Sequence, residues 1–209
     1  MDPTVSGGPL IGVLALQGDF EAHRRVLEGL GARVREVRVV ADLVGIAGLV
    51  IPGGESTTIT LGVAREGLAE PIRALAREGL PVLGSCAGLI MLDRAHLGLM
   101  DIVAERNAFG RQIRSFEADV EVAGLSGGPV HGVFIRAPWI AEHGPGVEIL
   151  GEVEGHPVVA REGHMLAIAF HTELGKDDRL HGLFLEWANA AAGRVDRHGA
   201  AEGASPSPD

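Results

Sequence analysis

The stretch LPVLGSCAGLIML, residues 80–92, holds the only cysteine of the chain, Cys86. A short apolar run, LPVL, reaches Gly84-Ser85-Cys86-Ala87-Gly88, and a second apolar run follows at once. A run of four to eight apolar residues reads as a strand buried on both faces, and the run after it begins a helix. A strand passing into a helix within so few residues needs a sharp turn. Gly84 and Gly88 flank the cysteine in a G-x-nucleophile-x-G pattern, because only small neighbours let the chain bend that tightly. Such a turn lifts the sulfur to the edge of the sheet and sets it at a helix N-terminus, where the dipole favours thiolate. Lone cysteines are often buried core residues. The flanking glycines and the strand-then-helix context favour the nucleophile here.

Reading outward, the same alternation recurs. PLIGVLALQG is an apolar run ending in glycine. DFEAHRRVLEGLGA follows, with Phe20, Val26, Leu27 and Leu30 at helical spacing and Gly31 as C-cap. RVREVRVV and IAGLVIPGG are the next strands. TLGVAREGLAEPIRALAREG is helical, with Pro71 marking a break or the first turn of a second helix. This β-α order predicts an α/β fold: a single-domain open, mostly parallel sheet flanked by helices, with right-handed crossovers. After about residue 100, FEADVEVAG, PVHGVFIRAPWI, VEILGEVEG, HPVVAREG and HMLAIAFHTEL read as added antiparallel strands. RLHGLFLEWANAAAGR is the last helix, with Leu180, Leu183, Phe184 and Trp187 as its stripe. One domain over 10–192 is expected, with a flexible extension at 1–9 and a disordered Gly/Ser/Pro-rich tail at 193–209.

Composition excludes several classes. The chain has 209 residues and a formal net charge of -10, with no Lys/Arg run to form a nucleic-acid surface. A single cysteine makes neither an internal disulfide nor a cysteine metal cluster, which fits a reducing cytoplasm. The first residues lack the basic and apolar regions of a signal peptide, and no apolar run is long enough to span a bilayer.

A thiol nucleophile needs a base, and the base needs an orienting group. AIAFHTEL places His171 and Glu173 two apart at the end of an apolar strand. If the strand continues, both side chains share one face and Glu173 fixes the imidazole. The other eight histidines, His23 and His181 among them, read as structural or surface residues. VIPGGES, residues 50–56, ends a third buried strand in Pro52-Gly53-Gly54. Backbone N–H groups near Gly54 suit half of an oxyanion hole, and the Ala87 N–H suits the other half. An ordinary turn is the plainer reading of that motif taken alone. A phosphate loop is not favoured, because G-x-x-x-x-G-K is absent.

These pieces, with GVLALQGDFEAH, IPGGEST, GSCAGLIML, HLGLMDIVAERNAFGRQIRSFEAD, GVFIRAP and AFHTEL, resemble the triad-type (class I) glutamine amidotransferases. Within them the chain is most similar to the family of glutaminase subunits of pyridoxal 5′-phosphate synthase, over roughly residues 10–190. ERNAFGRQ and FIRAP are its more specific motifs. The resemblance implies a flavodoxin-like fold, with Cys86 as nucleophile, His171 as acid/base and Glu173 as orienting residue, and with Gly54, Glu55 and Ser56 lining an L-glutamine site. Arg106, Ile135 and Arg136 are implied to help hold the substrate. It further implies glutamine hydrolysis without metal or organic cofactor. The ammonia is then passed to a (β/α)8-barrel synthase subunit in a hetero-oligomer that makes pyridoxal 5′-phosphate. Thr172 stands where the family usually has Pro, and Ser85 where Thr is common. Other readings are a glutaminase subunit of another synthase, such as that of imidazole glycerol phosphate synthesis, a cysteine peptidase or chaperone-like α/β protein, and a non-catalytic scaffold.

Overall fold

The computed structural model describes residues 7–106 and 115–202, with side chains as far as residue 193. Residues 1–6, most of the ERNAFGRQ motif and residues 203–209 lie outside the described residues.

The central sheet is built from the apolar runs. β1 (Leu10–Leu14), β3 (Gly48–Ile51), β4 (Val82–Ser85) and β11 (Met165–Ile168) are almost wholly buried. Strands covered on both faces have no polar side to show, so their sequences do not alternate. With β2 (Arg33–Val37), β10 (His156–Glu162) and β9 (Glu148–Val153) they form one sheet of order β2-β1-β3-β4-β11-β10-β9. The first five strands pair in parallel, and β10 and β9 add to that edge in antiparallel fashion. The parallel part has the 2-1-3-4-5 order of doubly wound folds, whose ligands bind at the carboxyl ends of the strands.

Helices α1 (Phe20–Gly29), α2 (Ser56–Arg65), α3 (Ala69–Arg77), α4 (Ala87–Leu92) and α5 (Arg179–Glu202) complete the fold. Pro71 sits in the first turn of α3, where its missing N–H costs nothing. Two small antiparallel pairs stand beside the main sheet. β6 (Ser115–Val120) pairs with β7 (Val130–Ile135), and β5 (Ile102–Glu105) pairs with β8 (Trp139–His143).

The structure differs from the sequence reading in three places. PVHGVFIRAPWI is two strands in different sheets, because Arg136 turns into the left-handed region (φ 45°) and Pro138 supplies no N–H for a ladder. β5, four residues long, was not expected at all. α5 continues through residues 193–202, part of the stretch expected as tail; its alanines favour helix strongly enough to carry Gly193 and Gly199. No helix among the described residues is long and apolar enough to cross a membrane.

Candidate active site

The carboxyl ends of β1, β3, β4 and β11 carry the loops that hold Gln17, Gly53, Cys86 and His171, while Ile135 comes from β7 and Arg106 follows β5. After β4, Cys86 takes φ 49° and ψ −105°, a strained conformation for a residue with a side chain. The elbow is possible because a Cβ on Gly84 would lie 2.5 Å from the Gly88 carbonyl oxygen, and one on Gly88 would lie 2.0 Å from that of Ile51. The Cys86 N–H donates to the Ile168 carbonyl at 2.8 Å, tying the elbow to the last residue of β11. Ala87 opens α4, so its N–H lies in the first turn, where no intrahelical acceptor exists.

Beyond β11 the chain does not continue as a strand. His171 forms an isolated bridge with Val133 of β7, donating its N–H to the Val133 carbonyl at 2.9 Å. The shared strand face expected for His171 and Glu173 is therefore replaced by a loop, and the loop still brings the two together. His171 Nδ1–H donates to Glu173 Oε1 at 2.6 Å, with both residues buried. An ionised carboxylate only accepts, which assigns the proton to Nδ1. Burial is the strongest influence on the imidazole and opposes its charge. Hydrogen bonds with Cys86 and Glu173 outweigh it and raise the His171 pKa to about 10. Burial likewise opposes charge on Glu173, but the bond from His171 and the nearby histidines hold its carboxyl below the usual range.

The loop after β3 closes the site. A Cβ on Gly53 would come 2.5 Å from His171 Cε1 and 3.3 Å from the Cys86 Cβ, so this glycine packs against both. Its carbonyl accepts from the Asp19 N–H at 3.2 Å. Gly54 is in the left-handed region (φ 153°), and Gln17 Oε1 occupies the space its side chain would need. That amide oxygen accepts from the Glu55 N–H at 2.7 Å. The β1 loop thus stitches the β3 loop in place.

The remaining expected residues fall into two groups. Ile135 brings its carbonyl to 3.9 Å from the Cys86 thiol, at the corner where Arg136 turns β7 away. Glu55 is exposed and caps α2: its carboxylate accepts from the Thr57 N–H at 3.1 Å and the Thr58 N–H at 2.7 Å. The Thr58 hydroxyl and these N–H groups push the Glu55 pKa down to about 2. Ser56 is buried as the first residue of α2, and Arg106 donates to the Thr57 hydroxyl at 3.4 Å. Sequence reasoning missed Gln17, and it missed the buried His23 and His181, which meet behind Glu173. Among the described residues, no group of three or more His, Cys, Asp or Glu is arranged to hold a metal ion.

A family model described as the SNO glutamine amidotransferase family matches residues 13–190. The chain belongs to that family. It is 51% identical over 188 residues to a Frankia alni protein named pyridoxal 5′-phosphate synthase subunit PdxT, covering 86% of this chain and 94% of that protein. A protein of the same name from Clavibacter sepedonicus is 50% identical over 194 residues, covering 88% and 93%. A crystal structure titled glutamine amidotransferase superposes with a TM-score of 0.81 at 47% identity, covering 85% of this chain and 98% of the other. The TM-score of 0.63 to a structure of PurLQS from Thermotoga maritima, at 18% identity over 90% of this chain and 99% of that one, speaks for the fold alone.

Proposed function

We propose that this amidotransferase hydrolyses L-glutamine and delivers the ammonia to a synthase partner that makes pyridoxal 5′-phosphate. One observation carries the chemistry: a strained cysteine elbow with a buried, charge-stabilised His-Glu pair hydrogen-bonded beside it. The relatives at about half identity, named for pyridoxal 5′-phosphate synthase, carry the pathway.

In this reading the Cys86 thiolate attacks the side-chain amide carbon of glutamine. N–H groups near Gly54 and Ala87 stabilise the oxyanion. His171 protonates the departing ammonia, leaving a γ-glutamyl thioester on Cys86. It then takes a proton from the water that attacks the thioester, and glutamate leaves with the thiol restored. Glu173 keeps the imidazole oriented throughout. Glu55, held anionic by its capping bonds, offers the charge an α-ammonium group requires, and Arg106 and Arg136 offer the opposite charge to the α-carboxylate. Ser56 and the Ile135 backbone complete the substrate wall. The reaction requires no metal or organic cofactor. Ammonia in water is largely protonated and lost as a nucleophile, so its use calls for a docked acceptor, here a (β/α)8-barrel subunit in the cytoplasm.

The test is glutamate release from L-glutamine with and without the synthase subunit, with Cys86→Ala as blank. The reading expects release that depends on Cys86 and is greatest in the complex. Docking without any release removes it.

A further inference from the structure

Behind the Cys86-His171-Glu173 line lies a second row of buried polar groups. His23, in α1, and His181, in α5, are fully buried. His23 Nδ1 lies 2.9 Å from His181 Nε2, with the rings tilted at 51°. On its other side, His23 Nε2 lies 2.9 Å from Ser85 Oγ and 3.3 Å from Glu173 Oε2. Glu173 Oε2 has no hydrogen-bond partner among the described residues, so the His23 ring stands near it without a directed bond, and His181 Nδ1 has no partner there either. The row therefore runs from the nucleophile to an end: Cys86, His171, Glu173, His23, His181.

We propose that His23 is a positioning residue for the Glu173 carboxylate, acting as a neutral imidazole in its Nε2–H tautomer, and that His181 fixes that tautomer. The inference rests on the triad reading above. Its logic is one of donors and acceptors. Glu173 Oε1 already takes the His171 proton, and an ionised carboxylate only accepts. A bare His23 nitrogen facing Oε2 at 3.3 Å would set two lone pairs against each other, so Nε2 carries the proton. That proton is directed at Ser85 Oγ, and the positive end of the N–H lies close enough to Glu173 Oε2 to stabilise the carboxylate through space. His23 Nδ1 is then an acceptor, and the His181 Nε2–H donates to it. His181 Nδ1 is left as the unprotonated end, in agreement with its lack of a partner.

The charges favour the neutral form. The titratable groups facing His23 are Glu173 and His171 from the loop after β11, His181 from α5, and Asp19 at the start of its own helix. Burial is the largest influence and lowers the His23 pKa. Glu173 and Asp19 act the other way without reversing it. A neutral His23 leaves the carboxylate's charge to His171, the group that has to carry a proton. A cationic His23 would compete for it. Ser85, beside the nucleophile, is anchored by the same ring.

Two experiments decide the matter. The first uses the full chain with 15N-labelled histidine and reads imidazole tautomers in long-range 1H–15N spectra at neutral pH. His23 and His181 are both expected as neutral Nε2–H rings; an Nδ1–H or imidazolium His23 overturns the proposal. The second compares His23→Gln, which keeps a donor near Nε2, with His23→Leu, which does not, in the complex with the synthase. His23→Leu is expected to lose roughly ten- to a hundred-fold in kcat at nearly unchanged KM, the scale typical of losing an orienting partner. His23→Gln is expected to recover most of it. Equal kcat in both variants, or losses that follow Tm rather than the donor, would mean packing alone and overturn the proposal. If His23→Leu does not fold, the tautomer assignment decides. Wild-type enzyme that releases no glutamate in the complex contradicts the glutaminase reading, while the tautomers still report on the row itself.

Discussion

At Gly53 a single hydrogen in place of a side chain separates the β3 loop from the His171 ring. A methyl group there would meet His171 Cε1 at 2.5 Å. Gly53→Ala is therefore expected to push the imidazole off Cys86 and cut glutaminase turnover by a hundred-fold or more, with a Tm close to wild type. Retained turnover would show that the ring has room to yield. Thr172 makes the opposite case. It is buried, and its hydroxyl has no hydrogen-bond partner among the described residues. A buried polar group without a partner costs about 1–3 kcal/mol. Thr172→Val, which keeps the shape, is expected to leave stability unchanged or raise it by about 1 kcal/mol in urea unfolding. A clear loss would mean the hydroxyl is bonded. The elbow at Cys86 and the pairing of His171 with Glu173 were legible in the sequence because their signals are local: glycines two positions away, an acid two positions on. His23 and His181 were not, because 158 positions separate the two. Nothing in either helix marks them until the fold brings those helices together behind Glu173.

Among elements, the contact between α4 and β3 sets how closely the nucleophile helix sits on the sheet. Gly88 allows it: a Cβ would lie 2.0 Å from the Ile51 carbonyl oxygen, a backbone atom that cannot swing aside. Gly88→Ala is expected to cost at least the roughly 1–3 kcal/mol of overpacking and to tilt α4 with the elbow it carries. Thermal melts would show the loss, and near-native stability would contradict the close packing. The buried strands were readable from their apolar runs and terminal glycines. The corner at Arg136 was not, since an apolar run gives no sign of changing sheets and a positive φ at Arg is rare. β5 escaped notice because its four residues end in a polar Glu105 and form neither a buried apolar run nor a pattern long enough to show a period.

For the molecule as a whole, the buried histidines give stability a maximum in pH. Burial, then the neighbouring His23, depress the His181 pKa to about 3 against an ordinary 6.5. Its neutral form is the native one, so this contribution is complete above 6.5 and is lost as pH falls toward 3. Glu173, Asp42 and Asp177, all held below the usual carboxylate range, add to the loss at the acid end. His171 runs the other way. With its pKa raised to about 10, its contribution is complete below 6.5 and is lost as pH climbs to about 10. Tm is thus expected to peak near the ordinary histidine pKa, with limbs of at most about 1.4 kcal/mol per pH unit for each proton. His181→Gln is expected to flatten the acid limb. A Tm that rises steadily from acid to alkaline pH would contradict the charged state assigned to His171.

The account as a whole turns on whether Cys86 is a glutamine-directed nucleophile. The most direct measurement is mass mapping after exposure of the synthase complex to a diazo-ketone analogue of glutamine, in wild type and in His171→Ala. The chain's single cysteine makes the result unambiguous. The account predicts one label per chain, on Cys86, blocked by excess L-glutamine and strongly slowed in His171→Ala. An unlabelled Cys86 in a complex that still releases glutamate would contradict it.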